Sequence, residues 1–462
     1  MTVRYLLLLG LLLLAVTPAS ASASSRQWMT FEAPRELLEE ESRDQTLDEI
    51  RSLGVDRVRV LVYWRRFAPA PDSRRKPRFD ARDPAAYPHD NWGAIDRLLD
   101  SADARGMQVQ LTPTGPVPRW ATRRRADQIT DPRADEFRAW MTALGRRYRD
   151  RVSVWSIWNE PNHPAFLAPQ YRNGRAASPR IYRNLYLAGR RALNATGNRS
   201  DLVLFGETLP RGGSRTVNPL PFLRGALCLD SRYRRTGGCS RLTMDGYAHH
   251  AYTTSEGPRF KPADRDHVTI GVLDRLTRAL DRAARARAVN PGVDLYLTEF
   301  GIQSYPDRTA GVPLARQAEY LAVAERIAYA NPRVKAFSQY LLRDDERRDD
   351  GSYGGFETGL RTAAGRKKPA YEAFRLPLAV ADYGRSDVLW GRVRMSPSPT
   401  TVTILAARRG RRFTPLRTVT TNAVGVFGLR NQHVDGQRYR LRWTSPEGVT
   451  HTGPPIRSTR PA

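Results

Sequence analysis

Short apolar segments alternate with longer amphipathic segments from about residue 28 to residue 378, and this rhythm predicts an α/β fold with parallel strands. Eight strand–helix units favour a (β/α)8 TIM barrel over an open doubly wound sheet, because no glycine-rich phosphate loop follows the first strand. The helical period stops at about residue 381. The chain of 462 residues is therefore predicted to form a large barrel followed by a small C-terminal antiparallel β-sandwich.

The barrel strands are predicted where β-branched and aromatic residues cluster between turn signals. They are Met29–Ala33, Val58–Tyr63, Gln108–Thr112, Val154–Asn159, Leu202–Gly206, Gly246–His250, Leu295–Glu299 and Ala336–Leu341. Helical periodicity fills the intervals between them. It covers Trp92–Ala104, Ala134–Tyr148, Ile181–Leu193, Val272–Ala288 and Leu314–Ala330.

The C-terminal part has a different pattern, in which short alternating runs are separated by proline, glycine and asparagine. These runs are Val388–Arg394, Thr401–Ala407, Thr414–Thr421, Val424–Leu429 and Tyr439–Thr444. We assign residues 24–380 to the barrel and residues 386–462 to an Ig-like accessory β-sandwich. Because the sandwich strands carry few acids or histidines, we expect this domain to be separable and to contribute no catalytic group.

The N-terminus has the pattern of a secretory signal peptide, assigned to residues 1–23. Arg4 is the positive region, Leu6–Val16 is the apolar core, and small residues at 19–23 offer the cleavage site. The apolar run is too short to span a bilayer. We therefore predict a secreted protein without a membrane span.

The chain has two cysteines, Cys228 and Cys239. In an oxidising compartment such a pair is expected to form a disulfide, here closing a short loop rich in arginine and glycine. We favour this bridge over a two-cysteine metal site, and we predict no metal and no cofactor.

The formal net charge is +28, and nearly all of it comes from arginine, since the chain has five lysines. The arginines are spread along the whole chain and do not form one stripe. Nucleic acid is therefore not favoured as a partner. An anionic polysaccharide or a negatively charged cell surface stays compatible with this charge.

Two glutamates stand at the ends of predicted strands. Glu160 closes an apolar run, and Pro161 then prevents further strand pairing. Glu299 ends the run that begins at Leu295, and strand alternation predicts that it continues the inward row of Leu295 and Leu297. In a barrel both ends lie at the carboxyl face, where active sites form. Since glycoside hydrolysis needs one carboxylic acid and one carboxylate, the pair predicts that chemistry.

The sequence resembles clan A of the glycoside hydrolases, the retaining (β/α)8 enzymes that include families 5 and 39. The motif Trp158–Pro161 matches the signature at the end of strand four, and Thr298–Gly301 matches the signature at the end of strand seven. The resemblance extends from about residue 28 to residue 378. It implies that Glu160 is the acid/base and that Glu299 is the nucleophile.

Further positions fit the same resemblance. Arg59 matches the arginine on strand two that lies near the nucleophile, and His250-Ala251-Tyr252 resembles a motif on strand six. The resemblance implies that Tyr252 hydrogen-bonds the nucleophile, that His250 shapes the sugar site, and that Asn159 binds the sugar 2-hydroxyl. Because Asn159 and Glu160 are adjacent, the strand must bulge or end there if both are to line one pocket.

Two departures from the clan pattern concern the substrate. Strand eight usually offers a tryptophan as the floor of the sugar site, whereas Tyr340 stands in that region here. We predict that Tyr340 binds the substrate as a smaller platform; the alternative is a subsite of different shape. Strand three lacks the histidine common in family 5, which leans towards family 39. Trp64 and Trp120 follow strand ends, so we predict that they stack on sugar rings.

The predicted function is a secreted retaining glycoside hydrolase that cleaves β-linked glycosides or polysaccharides with two glutamates. The expected partner is an oligo- or polysaccharide, and we expect a monomer. The alternative is a non-catalytic TIM-barrel protein that binds carbohydrate or an anionic cell surface. The sequence does not specify the sugar, its linkage, or whether attack occurs at chain ends or at internal bonds.

Overall fold

Eight parallel strands close into a barrel, as the sequence predicts. The structure is a computed structural model that describes residues 27–346, 355–396 and 399–460, so the predicted signal peptide lies outside the described residues. The strands are β1 (Trp28–Glu32), β2 (Arg57–Tyr63), β3 (Gln108–Thr114), β4 (Val154–Ser156), β5 (Leu202–Thr208), β6 (Gly246–His250), β7 (Leu295–Glu299) and β8 (Val334–Tyr340). Each strand pairs with its neighbours in sequence, and β8 pairs with β1 to close the ring.

Helices surround the barrel and cover the outer faces of its strands. They are α1 (Pro34–Leu38), α2 (Glu40–Ser52), α3 (Trp64–Phe67), α4 (Gly93–Asp103), α5 (Ala134–Arg147), α6 (Ser178–Ala195), α7 (Pro219–Ala226), α8 (Asp274–Arg285), α9 (Leu314–Ala330) and α10 (Pro369–Arg375). Short 3-10 helices lie at Pro84–Ala86, His89–Asn91, Arg119–Ala121 and Ile270–Val272, and a two-residue hairpin pairs Tyr171–Arg172 with Arg175–Ala176.

Strand β2 shows how alternation supplies both the core and the site. Val58, Val60 and Val62 are fully buried in the apolar core that joins the strands to the helices. Arg57 and Arg59, which alternate with these valines, point the other way, into the barrel, where Arg57 donates to Gln108 Oε1 on β3 at 2.8 Å. Two arginines in the barrel interior need polar partners there, because a buried charge without partners is strongly destabilising.

The C-terminal part consists of two antiparallel sheets. Strands β9 (Leu378–Asp382), β10 (Ser386–Arg392) and β13 (Val426–Gln432) form the first sheet. The second contains β11 (Thr401–Ala407), β12 (Thr414–Thr420), β14 (Arg438–Thr444), β15 (Thr450–Thr452) and β16 (Ile456–Arg457). Leu389 and Phe427 from the first sheet share one buried cluster with Ile404 and Leu441 from the second. This shared core makes the pair of sheets a sandwich.

The sandwich begins earlier than residue 386, the boundary that the sequence predicts. Strand β9 pairs along its length with β10, from Leu378 opposite Gly391 to Asp382 opposite Asp387. Its alternating residues Leu378 and Val380 lie in the sandwich core. The apolar run after α10 therefore belongs to the second domain, because its partner strand lies there.

The sandwich is joined to the barrel through a buried ion pair. Glu325 on α9 is 2% exposed and accepts a hydrogen bond from Arg392 at 3.2 Å and another from Arg394. An apolar cluster beside it combines one helix residue with three sandwich residues, namely Val323, Ala379, Trp390 and Val426. Removing the sandwich would therefore leave a buried carboxylate on α9 without its cations.

The disulfide prediction is confirmed. Cys228 and Cys239 are bridged, with their Cα atoms 6.2 Å apart. Among the described helices, none has both the length and the apolar character that a bilayer crossing requires.

We predict that Glu325→Gln lowers the free energy of unfolding by about 3–5 kcal/mol, because Arg392 and Arg394 would stay buried without a carboxylate. The control is Asp274→Asn, which removes an ion pair with Arg278 on the exposed face of α8 and should change that free energy by less than about 1 kcal/mol. Urea unfolding of both variants measures the two effects. Equal losses would show that the interface pair contributes no more than a surface pair.

Candidate active site

One arginine organises the carboxyl end of the barrel. Arg59 is fully buried, and its Nη1 donates to Glu32 Oε2 at 2.6 Å and to Glu299 Oε1 at 2.8 Å. Its Nη2 donates to Asn159 Oδ1 at 2.7 Å and to Glu207 Oε2 at 2.6 Å. A single guanidinium on β2 thus fixes side chains that come from four other strand ends, β1, β4, β5 and β7.

A histidine links the same carboxyls from the other side. His250 is also fully buried, with Nδ1 2.9 Å from Glu160 Oε1 and Nε2 2.6 Å from Glu207 Oε2. Nδ1 lies 3.4 Å from Glu299 Oε2. Both ring nitrogens therefore face carboxylate oxygens, an environment that favours the imidazolium.

Regular strand alternation would not bring these acids together, and it is interrupted where they stand. In β5, Glu207 is an extra residue between the pairs Gly206–Ala248 and Thr208–His249. In β7 the register with β6 also shifts before Glu299, and as a result the neighbouring Thr298 side chain reaches Glu207 Oε2 at 3.1 Å. The prediction that Glu299 continues a simple inward row from Leu295 is therefore wrong, because the bulge redirects the strand end.

Strand β4 ends early, at Ser156. The sequence predicts such an end or a bulge, because the adjacent Asn159 and Glu160 can line one pocket only if strand alternation stops before them. Trp158 and Glu160 have positive φ of 72° and 39°, and Glu207 has a φ of 51°. For residues other than glycine this conformation costs on the order of 1–3 kcal/mol each. The hydrogen bonds of the acids to Arg59 and His250 offset that strain, which is concentrated at the site.

Charge is distributed unevenly over the buried groups. Burial would raise the pKa of Glu207, but the positive charge of Arg59 and the hydrogen bond from His250 outweigh it and lower that pKa to about 2. Burial would likewise lower the pKa of His250, but Glu299, Glu160 and Glu207 raise it to about 10. At neutral pH the carboxylate of Glu207 therefore lies between two cations.

Glu32 and Glu299 compete for the same Arg59 nitrogen. Burial raises the pKa of Glu32 to about 8, with Arg59 opposing the rise and Glu299 adding to it. Burial also raises the pKa of Glu299, although His250 and Arg59 oppose the rise. Tyr252 gives Glu299 a further donor, since its hydroxyl lies 3.2 Å from Oε2. Glu299 therefore has three groups that favour its carboxylate, whereas Glu32 has Arg59 and the more distant His250.

Glu160 and Glu299 face each other across the mouth of the cluster. One oxygen of each carboxyl and one nitrogen of His250 all lie within 4.8 Å of one another. Glu160 Oε1 is occupied by His250, whereas Oε2 has no hydrogen-bond partner in the described part of the chain. Glu160 can therefore exchange a proton through the oxygen that is still available.

A cavity of about 1190 Å³ opens over these two carboxyls. Glu32, Asn159, Glu160, Tyr252 and Glu299 form its polar floor. Aromatic side chains stand around it, namely Tyr63, Phe166, Tyr340 and Phe356. Apolar walls with a few convergent polar groups are typical of a small-molecule or sugar site. None of the described residues of the sandwich lines this cavity.

The structure brings most of the predicted site residues together. Glu160, Glu299, Asn159, Tyr252 and Tyr340 line the cavity. Asn159 accepts from Arg59 through Oδ1, which leaves its Nδ2 as a donor for a ligand.

Arg59 and His250, predicted to bind substrate, lie beneath the cavity floor and outside its wall. Both side chains are fully buried, so they hold the carboxyls in place without touching a ligand themselves.

The prediction that Trp64 and Trp120 stack on sugars is wrong. Each is 1% exposed, and neither belongs to the cavity wall. Trp64 begins α3, which turns its ring back against Trp140 of α5 in a parallel stack with centroids 5.2 Å apart. Trp120 packs edge-on against Trp64, with centroids 6.0 Å apart. Tyr63, the residue immediately before Trp64, is the one that faces the cavity.

Sequence reasoning missed Glu32 and Glu207. Each lies at or beside the end of a predicted barrel strand, which is the same signal that identified Glu160 and Glu299. Phe356 was also missed. It is 46% exposed, and its ring lies edge-on to Tyr340 with centroids 5.2 Å apart.

Within the part of the chain that the structure describes, two clusters have a spacing that could hold a metal ion. The first is Glu160, His250 and Glu299. A protonated His250 cannot ligate a metal, because both ring nitrogens carry hydrogens that face carboxylates. The second joins Asp382, Asp387 and His433 in the sandwich, and there the hydrogen bonds of His433 to Asp387 and Asp435 raise the pKa of the imidazole in the same way.

The comparisons with known proteins agree with this architecture. The family model for Cellulase (glycosyl hydrolase family 5) matches residues 19–171, a stretch that includes Glu160 and ends before Glu299. A family 39 glycoside hydrolase from the gut symbiont Bacteroides cellulosilyticus WH2 superposes with a TM-score of 0.53 at 16% identity, covering 89% of this chain and 80% of that one. A glucosidase from Croceicoccus marinus gives a TM-score of 0.52 at 12% identity, with 90% and 95% coverage.

A GH5_18 protein from Streptomyces cattleya, solved in complex with GlcNAc, gives a TM-score of 0.51 at 18% identity, covering 77% of this chain and 81% of that one. No curated protein matches the chain. At these identities the structural likeness shows a shared fold. The family match covers residues 19–171, and the solved structures share the barrel fold of this chain.

We predict that Glu207→Gln lowers the free energy of unfolding at pH 7 by about 3–5 kcal/mol, because Arg59 and His250 would lose the carboxylate between them. The folded pKa of Glu207, about 2, lies below its ordinary value, so its stabilisation is present above pH of about 4.5 and fades as the pH falls towards 2. The difference from wild type should therefore shrink in acid.

Urea unfolding at pH 7, 5 and 3.5 measures this difference. Glu256→Gln, at an exposed loop position, should stay within about 0.5 kcal/mol of wild type throughout. A Glu207→Gln deficit that does not change with pH would contradict the charge argument.

Proposed function

We propose that this chain is a secreted retaining glycoside hydrolase that cleaves β-linked glycosides by double displacement. The observation that carries the proposal is the approach of Glu160 and Glu299 to within 4.8 Å over the floor of the cavity. Retaining enzymes place their two carboxyls about 5–5.5 Å apart, whereas inverting enzymes need about 6.5–9.5 Å to admit a water. The close approach supports direct attack by one carboxylate on the sugar.

In the first step Glu299 attacks the anomeric carbon while Glu160 gives a proton to the departing oxygen. Attack requires an ionised Glu299, and Arg59, His250 and Tyr252 all favour that form. Because Glu160 Oε1 is held by His250, the proton leaves from Oε2, which faces the cavity. The leaving group departs as an alcohol, and a covalent glycosyl–Glu299 ester remains.

In the second step a water molecule enters from the cavity, and Glu160, now ionised, removes its proton. The resulting hydroxide attacks the anomeric carbon, and Glu299 leaves as a carboxylate. Two inversions give net retention. Asn159 Nδ2 is placed to donate to a sugar hydroxyl during both steps, since its Oδ1 is fixed by Arg59.

Export is part of the proposal and is supported by the N-terminal signal pattern and by the disulfide between Cys228 and Cys239. The alternative of a non-catalytic carbohydrate-binding barrel is less well supported. A protein that only binds carbohydrate does not require two facing carboxyls with an arginine, a histidine and a tyrosine around them.

We predict that Glu299→Ala abolishes turnover of every glycoside, because no nucleophile remains. Glu160→Ala should keep the first step with an aryl glycoside that has a good leaving group, and lose about 10²–10⁴-fold with a poor one. Added azide needs no base and should restore turnover in Glu160→Ala, giving a β-glycosyl azide. Product analysis by NMR measures both outcomes.

Glu256→Ala, an exposed acid outside the cavity wall, is the matched control and should keep wild-type kinetics. Azide rescue of Glu299→Ala with a β-linked product, together with an α-linked product from Glu160→Ala, would mean that the two roles are reversed. Inversion at the anomeric carbon by the wild-type enzyme would rule out double displacement.

A further inference from the structure

Glu32 is a buried acid in the cavity floor to which the double-displacement steps assign no role. It ends β1, is 2% exposed, and its Oε2 accepts from Arg59 Nη1 at 2.6 Å. The same nitrogen donates to Glu299 Oε1 at 2.8 Å. Glu32 therefore lies beside the proposed nucleophile and shares one Arg59 nitrogen with it.

The second oxygen of Glu32 is available to a ligand. Oε1 has no hydrogen-bond partner in the described part of the chain, and it is not among the fully enclosed polar atoms. Because Glu32 belongs to the cavity wall, this oxygen faces the space that a sugar bound over Glu299 would occupy.

We propose that Glu32 is a further substrate-binding residue, which hydrogen-bonds through Oε1 to one hydroxyl of the sugar that Glu299 attacks. The inference rests on the proposed glycosidase function and names a specificity contact within it. The partner at this point is an uncharged hydroxyl. A sugar carboxylate placed there would meet two acids, Glu32 and Glu299, with one shared Arg59 nitrogen to compensate them.

The protonation state of Glu32 determines its part in this contact. Titratable and charged groups face it from the four strands β2, β6, β7 and β8 and from the loop after β6, namely Arg59, Tyr63, His250, Tyr252, Glu299 and Tyr340. Among these neighbours, Arg59 and His250 supply the positive charge. Both also form ion pairs with Glu207 and Glu299, so their charge is shared among several carboxyls. With burial raising the pKa of Glu32 to about 8, the side chain is a neutral acid at pH 7. Its Oε2 then accepts from Arg59, and its Oε1–H donates to the sugar.

The test is a double-mutant cycle between the enzyme and its substrate. The probes are the aryl β-glycoside that the wild-type enzyme hydrolyses fastest and its monodeoxy analogues. Glu32→Ala and loss of the contacted hydroxyl should each lower kcat/KM by about tenfold, and both together should lower it no further than one alone. The other hydroxyls should give additive losses. Additive losses at every hydroxyl would overturn the proposal.

A pH profile provides a second test with a variant that keeps the shape of the side chain. Wild-type kcat/KM should fall above pH of about 8 as Glu32 ionises, because it loses the donor and adds a negative charge beside Glu299. Glu32→Gln cannot ionise and still offers both a donor and an acceptor, so its alkaline limb should lie at a higher pH than that of the wild type. An unchanged alkaline limb would overturn the proposal.

Glu36→Gln is the matched control, since Glu36 is a buried glutamate on the adjacent α1 that lies outside the cavity wall. It should leave both the pH profile and the hydroxyl dependence as in wild type. A wild-type enzyme that hydrolyses no glycoside would overturn the proposed function together with this inference. An active wild type with additive hydroxyl effects would overturn the inference alone.

Discussion

The contact between Arg59 and its surrounding carboxyls is the constraint on which the site depends. A guanidinium buried in the barrel interior is tolerated when anions and other acceptors surround it. Arg59 meets four acceptors from four strand ends, and this requirement holds those ends in one geometry. The strained backbone at Glu160 and Glu207 and the register shifts in β5 and β7 follow from that convergence. The barrel supplies the positions, and the ion pairs select the conformation of the strand ends.

The net charge of the cluster connects this architecture to the chemistry. Four carboxyls surround two cations, Arg59 and His250, so the cluster is neutral when two of the carboxyls carry protons. Glu207 lies between both cations and stays ionised. The nucleophile role requires an ionised Glu299, and the acid role requires a proton on Glu160. Glu32 then carries the second proton. The neutral state of the cluster is thus the same protonation state that the proposed double displacement requires at its start.

The C-terminal sandwich contacts the barrel at helix α9 and away from this cluster. Among the described residues it contributes nothing to the cavity wall, yet Arg392 and Arg394 satisfy the buried Glu325 on α9. Helix α9 follows β7, the strand that ends in Glu299. The stability of the barrel wall behind Glu299 and the presence of the sandwich are therefore linked through one carboxylate.

The sequence by itself determined the eight barrel strands, the separate β-rich part, the disulfide and the pairing of Glu160 with Glu299, because periodicity and strand-end motifs are local signals. Tertiary structure alone decided the rest. Trp64 and Tyr63 are adjacent, and the turn into α3 determines which of them faces the cavity. Glu207 joins the site through a bulge that alternation cannot foresee. Whether Glu32 holds a proton depends on Arg59, His250 and Glu299, which lie on other strands and become its neighbours when the barrel closes.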